Sequence, residues 1–339
     1  MRLFHHFGTS TSQTLLFVPE VWDCTLQLCF QFDFLMDAVL CVAARHLAVL
    51  LPDDPIFPKA ANSHRCRAVS RFCDQLSNNF SSIHIDAFMA TSFLLQYEVW
   101  TNTDFFSPQD TGASTFNPSK DRIFALSSSM KQVFLKSVPL ISHQPSIFIP
   151  HVQHSPEDVL VRAAQISNIT LANYHDFFSY HRPLSTELLN PPLPYTRETD
   201  SAISNVRRFH IHKTKGETES TEDSYETVVS ALCLIQSFLP EAQPFTSLDT
   251  DSPLLPELAR YVFSFPIQCR GHFASMFERC DPHALLLLYH FYRAVRILFA
   301  STKFWWAQKR AAASEAALKE WLTRECAEQD PAAFWSALL

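Results

Sequence analysis

Apolar residues recur three, four or seven positions apart over most of the chain, the spacing that places them on one face of an α-helix. The first long run lies between residues 20 and 51, with a break near Phe32, and Pro52 ends it because proline cannot continue a helix. No segment alternates apolar and polar residues for long enough to predict a β-strand. Further helices are predicted over residues 60–76, 86–100, 121–138, 156–179, 225–239, 253–265, 270–279, 282–300 and 302–327. The pattern therefore predicts an all-α protein, a single large bundle of about ten or more helices.

Three helix starts carry specific signals. Asp86 can cap the run AFMATSFLLQYEVW, which is apolar nearly all round and therefore predicts a central, buried helix. The sequence SPED opens the helix predicted at 156. Asp281 can cap the next apolar run, with Pro282 at its first helical position.

The helix predicted over 60–76 has one apolar side and one basic side. Arg65, Arg67 and Arg71 occupy much of the basic side, which we expect to face water. The residues predicted to face the core are Ala61, Cys66, Val69, Cys73 and Leu76.

Two insertions interrupt the helical pattern. Residues 105–120 and most of 181–224 are rich in proline, serine, threonine and charge, a composition typical of loops or disorder. We therefore expect one helical domain over residues 1–327 that carries both insertions, followed by a tail or short helix at 328–339.

Glycine is scarce, with 4 residues where ordinary usage would give about 24. Neither the G-x-G-x-x-G nor the P-loop pattern occurs, so the common glycine-loop nucleotide sites are excluded and no cofactor is expected. The net charge of −7 comes without a long basic run, which makes the chain a poor candidate for duplex DNA binding.

Nine cysteines stand at irregular spacings, with no C-x-x-C pair, and no arrangement of His and Cys has the spacing that zinc sites favour. We therefore expect buried free thiols of an intracellular protein and no bound metal. The most apolar stretch, residues 284–300, is interrupted by His290, Arg293 and Arg296, so no membrane span is expected.

Several blocks, in order along the chain, resemble a known family. They are LFHHFGTSTSQTL, FDFLMDAVLCVAARHLAVLLPDDP, FPKAANSHRCRAVSRFCDQLS, DAFMATSFLLQYEVWTNTD, DRIFALSSSMKQVF and LARYVFSFPIQCRGHFASMFERCDPHALLLLYHFYRAVRILFASTKFWW. Together they resemble the regulatory domain of fungal zinc-cluster transcription factors, in the branch that includes sterol-uptake regulators, over residues 3–322.

The resemblance implies an all-helical bundle that holds an apolar ligand in the sterol-sensing members. In that family a separate module of six cysteines with two zinc ions reads the DNA, and no such array occurs here. We therefore expect no direct nucleic-acid contact. We expect a location in the nucleus or cytoplasm, and a protein partner or homodimer is among the expected interactions.

Arg45 and His46 form a polar pair within an apolar helix. Adjacent helical residues point about 100° apart, so the two side chains cannot address one small reacting atom. Since His46 lies on the apolar stripe, we interpret it as a packed, hydrogen-bonded structural histidine.

Aromatic and polar side chains cluster near the ends and centres of two apolar helices. Tyrosine and tryptophan bury a large area and need a partner for the O–H or N–H group, so several of them together can line an apolar cavity with a few polar contacts. They can equally pack the core and its rim. The residues predicted to bind a ligand are Tyr97, Trp100, Tyr289, His290, Arg293, Trp305 and Trp306.

Two functions fit these features. The first is transcription regulation by a ligand-binding protein without its own DNA reader. This protein would hold a sterol, terpenoid or polyketide and act in fungal secondary metabolism. The second is a cofactor-independent cyclase or pericyclase of Diels–Alder or hetero-Diels–Alder type, in which His290, Arg293 and Tyr97 would be the catalytic residues. Such a reaction needs only a preorganised substrate and a hydrogen bond to developing charge.

Overall fold

The computed structural model describes residues 1–78, 84–103, 121–141, 146–166, 178, 189, 221–240 and 252–328. No β-strand occurs in these residues, so the all-α prediction is confirmed. The helices are α1 Arg2–His6, α2 Pro19–Leu28, α3 Asp33–Leu50, α4 Ile56–Asn78, α5 Ile85–Thr101, α6 Ile123–Ile141, α7 Ile149–Val152, α8 Pro156–Ile166, α9 Thr221–Gln236, α10 Leu254–Gln268, α11 His272–Glu278, α12 Pro282–Leu298 and α13 Trp305–Glu328. A π-helical turn at Phe7–Thr11 and 3-10 turns at Ser12–Thr14 and Thr302–Phe304 complete the set.

The predicted boundaries agree with the structure to within a few residues. The break near Phe32 is confirmed, because the extended backbone of Phe32 (φ −129°, ψ 102°) separates α2 from α3. Helix α10 continues past the predicted end at 265 and includes Pro266.

The two predicted insertions lie largely outside the described residues. The first, 105–120, lies wholly outside them, as do residues 167–177 of the helix predicted over 156–179 and the tail beyond 328. The second insertion was predicted to extend to 224, but α9 already begins at Thr221.

The chain groups into two compact units. The first comprises residues 1–102, 125–155 and 301–307, and the second comprises residues 103–124, 156–300 and 308–339.

In the first unit, α3 packs against both α4 and α5. The central position predicted for α5 is confirmed, since 13 of its 17 residues are buried. The capping role predicted for Asp86 was wrong: the helix begins at Ile85 after His84, without a side-chain cap. The Asp86 carboxylate instead accepts hydrogen bonds from the Ser146 hydroxyl and the Ile147 amide, which ties that segment to the first turn of α5.

Helix α4 lies in a different rotational phase from the predicted one. Its buried residues are Phe57, Ala61, Ala68 and Phe72, whereas Cys66, Val69 and Cys73 are exposed. The basic side borders the buried face, where two buried carboxylates attract it, while Arg67 and Arg71 stay 44% and 48% exposed. Asp37 on α3 accepts hydrogen bonds from His64, Arg67 and Arg71, and Glu98 on α5 lies 3.7 Å from Arg65.

In the second unit, α12 has 12 of 17 residues buried, and it packs against α9 and α11. The Phe291 ring stacks on Phe265 of α10 at a centroid distance of 3.9 Å. The predicted cap is confirmed: the Asp281 carboxylate accepts from the His283 amide at 2.9 Å. Burial alone would raise the pKa of Asp281, but the hydrogen bonds from His283 outweigh burial and hold that pKa below its usual value.

The cysteines differ in exposure. Cys29, Cys41, Cys233 and Cys269 are buried and Cys24 and Cys280 half-buried, as free thiols. Burial raises the pKa of the Cys29 thiol to about 12. The prediction of buried thiols was wrong for Cys66 and Cys73, which the phase of α4 places on the surface. Among the described helices, none has the length and apolar character to cross a membrane.

Candidate functional site

Four of the predicted ligand-binding residues lie in the first unit, and three of them, Tyr97, Trp100 and Trp306, meet. Tyr97 and Trp100, near the end of α5, both contact the Trp306 ring edge-on, at centroid distances of 5.7 Å and 5.4 Å. Trp305 precedes Trp306 at the start of α13, and all four side chains are buried. We refer to Tyr97, Trp100, Trp305 and Trp306 as the aromatic cluster.

His46 of α3 extends this cluster. Its imidazole lies nearly parallel to the Trp305 ring, with 4.7 Å between centroids, and its Nδ1 lies 3.0 Å from the Thr11 hydroxyl. The His6 ring lies 5.1 Å from the same imidazole. Burial, with a smaller contribution from His6, lowers the pKa of His46 to about 4, so the imidazole is neutral near pH 7. The structure agrees with the interpretation of His46 as a packed, hydrogen-bonded residue.

Arg45 points to a different set of partners. Its guanidinium donates to Glu98 Oε1 at 2.8 Å and to Asn62 Oδ1 at 2.7 Å. Arg45 therefore makes an ionic contact and His46 an aromatic one. The two side chains point in different directions, as expected for adjacent residues of a helix.

The polar ends of the aromatic cluster hold the N-terminal segment, residues 7–16. The Tyr97 hydroxyl accepts from the Leu16 amide at 2.7 Å, and the Trp305 Nε1–H donates to the Thr14 hydroxyl at 2.8 Å. With the contact between Thr11 and His46, three side chains of the core fix three positions of this segment. These polar groups, predicted as ligand contacts, thus make hydrogen bonds within the chain.

The remaining predicted ligand-binding residues lie in the second unit, on α12. The Tyr289 hydroxyl donates to the Leu189 carbonyl at 3.2 Å, and the His290 ring meets Phe178 edge-on at 5.2 Å. Both side chains are buried, while Arg293 is half-buried. Burial raises the pKa of Tyr289 despite the opposing charge of Arg293, so the hydroxyl stays protonated and can donate a hydrogen bond.

The second unit also contains a buried ionic group that the sequence analysis did not identify. Arg310 of α13 is 1% exposed and donates to Asp121 Oδ2 at 2.7 Å. Burial alone would lower the pKa of Arg310, but Asp121 and the hydrogen-bonded Tyr292 outweigh burial and raise it. The available signal was a lone arginine among alanines in WAQKRAAASEAAL, which periodicity alone does not separate from a surface position.

A described open cavity of about 590 Å³ lies along α1 and α2 in the first unit. Its lining residues are Met1, Arg2, Phe4, His5, Gly8, Thr9 and Leu26, and none of them belongs to the predicted ligand-binding set. Within the described part of the chain, no group of three or more His, Cys, Asp or Glu side chains is placed to hold a metal ion.

Comparisons with known proteins show a distant relative. A protein of Gibberella zeae described as a Zn(2)-C6 fungal-type transcription factor is 27% identical to the chain over 127 residues. This alignment covers 35% of the chain and 26% of the relative. The chain is distantly similar to a fungal transcription factor. The aligned part spans about a quarter of that relative's length, and it does not distinguish the sterol-uptake branch from others. No protein-family model matches the chain, and no solved structure does.

Proposed function

We propose that the chain is a transcription-factor-like regulatory protein that holds an apolar small molecule such as a sterol, terpenoid or polyketide. The observation that carries the regulatory part is the 127-residue similarity to a Zn(2)-C6 fungal-type transcription factor. The all-helical fold is consistent with it.

The aromatic cluster supports the ligand-binding part. Its four rings supply a large apolar surface, and the Tyr97 hydroxyl and the Trp305 indole supply two polar groups, the combination found in small-molecule sites. Both groups are now bonded to residues 14 and 16, so an apolar ligand would compete with this segment for the cluster. Ligand binding would thereby change the order of the N-terminal segment, which is a direct way to signal occupancy.

The binding test uses the purified full chain and dehydroergosterol, a fluorescent sterol. We expect saturable energy transfer from tryptophan to the sterol, weakened at least about ten-fold in Kd by Trp305→Phe or Tyr97→Phe, since each removes one polar contact. Phe72→Leu is the control, because Phe72 is buried in the same unit and contacts Phe34 and Phe88 instead of the cluster or the N-terminal segment. No saturable binding of this sterol or of a terpenoid and polyketide panel would refute the ligand-binding part.

The regulatory part needs a separate test. The full chain is tethered to a heterologous DNA-binding module upstream of a reporter gene in yeast. We expect reporter output to differ from that of the module alone, and to respond to the ligand that binds in vitro. Equal output with and without the chain would count against a regulatory role.

The pericyclase alternative stays a prediction. Of its three candidate catalytic residues, the structure places His290 and Arg293 in the second unit and Tyr97 in the first.

A further inference from the structure

The open cavity along α1 and α2, which we call the α1–α2 cavity, combines an apolar lining with two side chains that can donate hydrogen bonds. Met1, Phe4 and Leu26 supply the apolar surface, and Arg2 and His5 are the two donors. Its volume of about 590 Å³ falls within the roughly 300–1,000 Å³ typical of small-molecule sites. No aspartate or glutamate lines this cavity, so its charge favours an anion.

The two donors are not engaged by carboxylates of the protein. Among the residues that the structure describes, neither the Arg2 nor the His5 side chain forms an ion pair or a hydrogen bond. The Arg2 guanidinium lies over the Phe57 ring, 5.1 Å from its centroid. This contact with a ring face holds the guanidinium in place, and its N–H donors stay available for a carboxylate.

The electrostatics of α1 also indicate an excess of positive charge. Burial lowers the pKa of His6, and the positive charges of Arg2 and His5 lower it further. A carboxylate close to these residues would act in the opposite direction. An anionic ligand would therefore relieve the repulsion among the three side chains.

Arg2 and His5 are placed to meet one anionic group. They are three residues apart on α1, a spacing at which the Cβ atoms lie about 5–6 Å apart on one helical face. Two donors at that separation can bind the two oxygens of a single carboxylate. An acidic helical peptide would present several carboxylates, and the cavity offers them no further donor, because the Thr9 hydroxyl donates to the His5 carbonyl at 2.9 Å.

The apolar part of the cavity can accommodate a hydrocarbon chain. A β-carbon at Gly8 would lie 3.3 Å from Leu26 Cδ1, so the absence of a side chain at Gly8 lets the π-helical turn approach α2 closely. The Phe4 ring contacts Phe30 with 5.6 Å between centroids, and Phe30 is 75% exposed. A chain that lies along Phe4 and Leu26 would also cover part of the exposed Phe30 ring.

We propose that the α1–α2 cavity binds an apolar carboxylic acid such as a fatty acid, with its carboxylate on Arg2 and His5 and its hydrocarbon chain along Phe4, Leu26 and Phe30. This site is separate from the aromatic cluster and takes a different class of ligand, since none of the four cluster side chains carries a charge.

The affinity should be modest and should depend mainly on chain length. Arg2 and His5 are exposed, and an exposed ion pair contributes little in water. Each methylene group that becomes buried should raise the affinity by up to about four-fold. We therefore expect dissociation constants in the micromolar range.

The binding test uses the purified full chain and cis-parinaric acid, a fluorescent fatty acid, below the concentration at which it forms micelles. We expect a saturable rise in fluorescence, and the uncharged methyl ester should bind about ten-fold more weakly. Competition by unlabelled fatty acids should strengthen from octanoate to hexadecanoate. No saturable binding of the acid, or equal binding of acid and ester, would overturn the proposal.

Charge variants test the two donors, and because both side chains are exposed these variants should fold as the wild type does. Arg2→Gln and His5→Gln should each weaken binding of cis-parinaric acid about three-fold, and the double variant about ten-fold, without changing the binding of the ester. Lys309→Gln is the control for net charge, since Lys309 is an exposed cation on α13. Unchanged affinity for the acid in the double variant would refute the site.

A further variant separates this cavity from the aromatic cluster. Trp305→Phe, which is expected to weaken binding of dehydroergosterol, should leave binding of cis-parinaric acid unchanged. The double variant of Arg2 and His5 should in turn leave binding of dehydroergosterol unchanged. Acid binding that is lost in Trp305→Phe and retained in the double variant would place the acid in the aromatic cluster and contradict the proposal.

Two other kinds of partner are tested with the same variants. The probes are a fluorescein-labelled amphipathic peptide with several glutamates, and vesicles of phosphatidylcholine with phosphatidylglycerol. We expect neither to bind in a way that depends on Arg2 and His5. Peptide or vesicle binding that requires these two residues, without binding of cis-parinaric acid, would assign the surface to an acidic protein or a membrane and overturn the proposal.

Discussion

Helices α4 and α5 pack against the same helix, α3, by different chemistry. The contacts of α5 are made largely by apolar side chains such as Phe88, whose ring stacks on Phe34 of α3 with 5.4 Å between centroids. Those of α4 include ionic hydrogen bonds from His64, Arg67 and Arg71 to Asp37 of α3. The two helices show that an apolar stripe identifies the buried face only where no buried charge competes with it.

Truncating a side chain in the apolar contact between α5 and α3 should have the largest effect on the free energy of unfolding. Phe88→Ala on α5 should lower the free energy of unfolding by about 3–5 kcal/mol, because it removes a fully buried ring and leaves a cavity. Urea denaturation measures the change. Leu135→Ala is the control, since Leu135 is 50% exposed and should change the free energy by less than about 0.5 kcal/mol. Equal effects of the two substitutions would contradict the central position of α5.

Helix α3 contains a buried titratable residue, His46. Its contribution to the free energy of unfolding should be the second largest. Because the pKa of His46 is lowered to about 4 from 6.5, the unfolded chain binds a proton between these values that the folded chain does not. Stability is therefore fully present above pH 6.5 and is lost as the pH falls towards 4, by about 3 kcal/mol.

The matched variant is His46→Phe, which keeps a ring against Trp305 and cannot titrate. The difference in free energy of unfolding between wild type and variant, measured at pH 7 and pH 4.5, isolates His46 from the carboxylates that titrate in both proteins. A difference that is the same at both values would exclude a lowered pKa for His46.

The ion pair that joins Arg45 of α3 to Glu98 of α5 should follow. Glu98→Gln removes the charge opposite Arg45, whose side chain is 12% exposed, and should lower the free energy of unfolding by about 2 kcal/mol. High salt should change this loss little, because water and ions reach the contact poorly. The exposed Glu320 provides the control variant Glu320→Gln, for which almost no change is expected.

The ion pairs between α3 and α4, whose arginines are more exposed, should show the smallest effect. Asp37→Asn weakens the contacts to Arg67 and Arg71, whose side chains are 44% and 48% exposed and can return to water. We expect a loss of about 1 kcal/mol that shrinks further in high salt. A larger loss for Asp37→Asn than for Glu98→Gln would reverse the order that side-chain burial predicts.

Much of the fold could be read from periodicity and end signals. The spacing of apolar residues located α2, α3, α5 and α12, and Asp281-Pro282 marked the start of α12. Asp86 shows the limit of such predictions. A residue that can cap a helix can also form hydrogen bonds with a distant segment, and Asp86 accepts from Ser146 and Ile147. Only the folded chain decides between the two.

For the candidate site too, the sequence predicted some features and not others. Tyr97, Trp100, Trp305 and Trp306 could be named from the sequence because tyrosine and tryptophan bury a large area and need a partner for the O–H or N–H group. Their hydrogen-bond partners could not be named, since Leu16 is 81 positions from Tyr97 and Thr14 is 291 positions from Trp305. Arg310 was missed for the same reason: its partner Asp121 is 189 positions away.

What the sequence by itself determined was local: the helical class, the positions of most helices and the buried character of α5. These depend on interactions within a turn or two of helix, which composition and spacing encode directly. The tertiary structure alone decided the rotation of α4, the exposure of Cys66 and Cys73, and the partners of Tyr97, Trp305 and Arg310. Each of these depends on a buried charge or a hydrogen-bonding group supplied by a distant segment. The free energy of leaving such a group unpaired appears only when the segments meet.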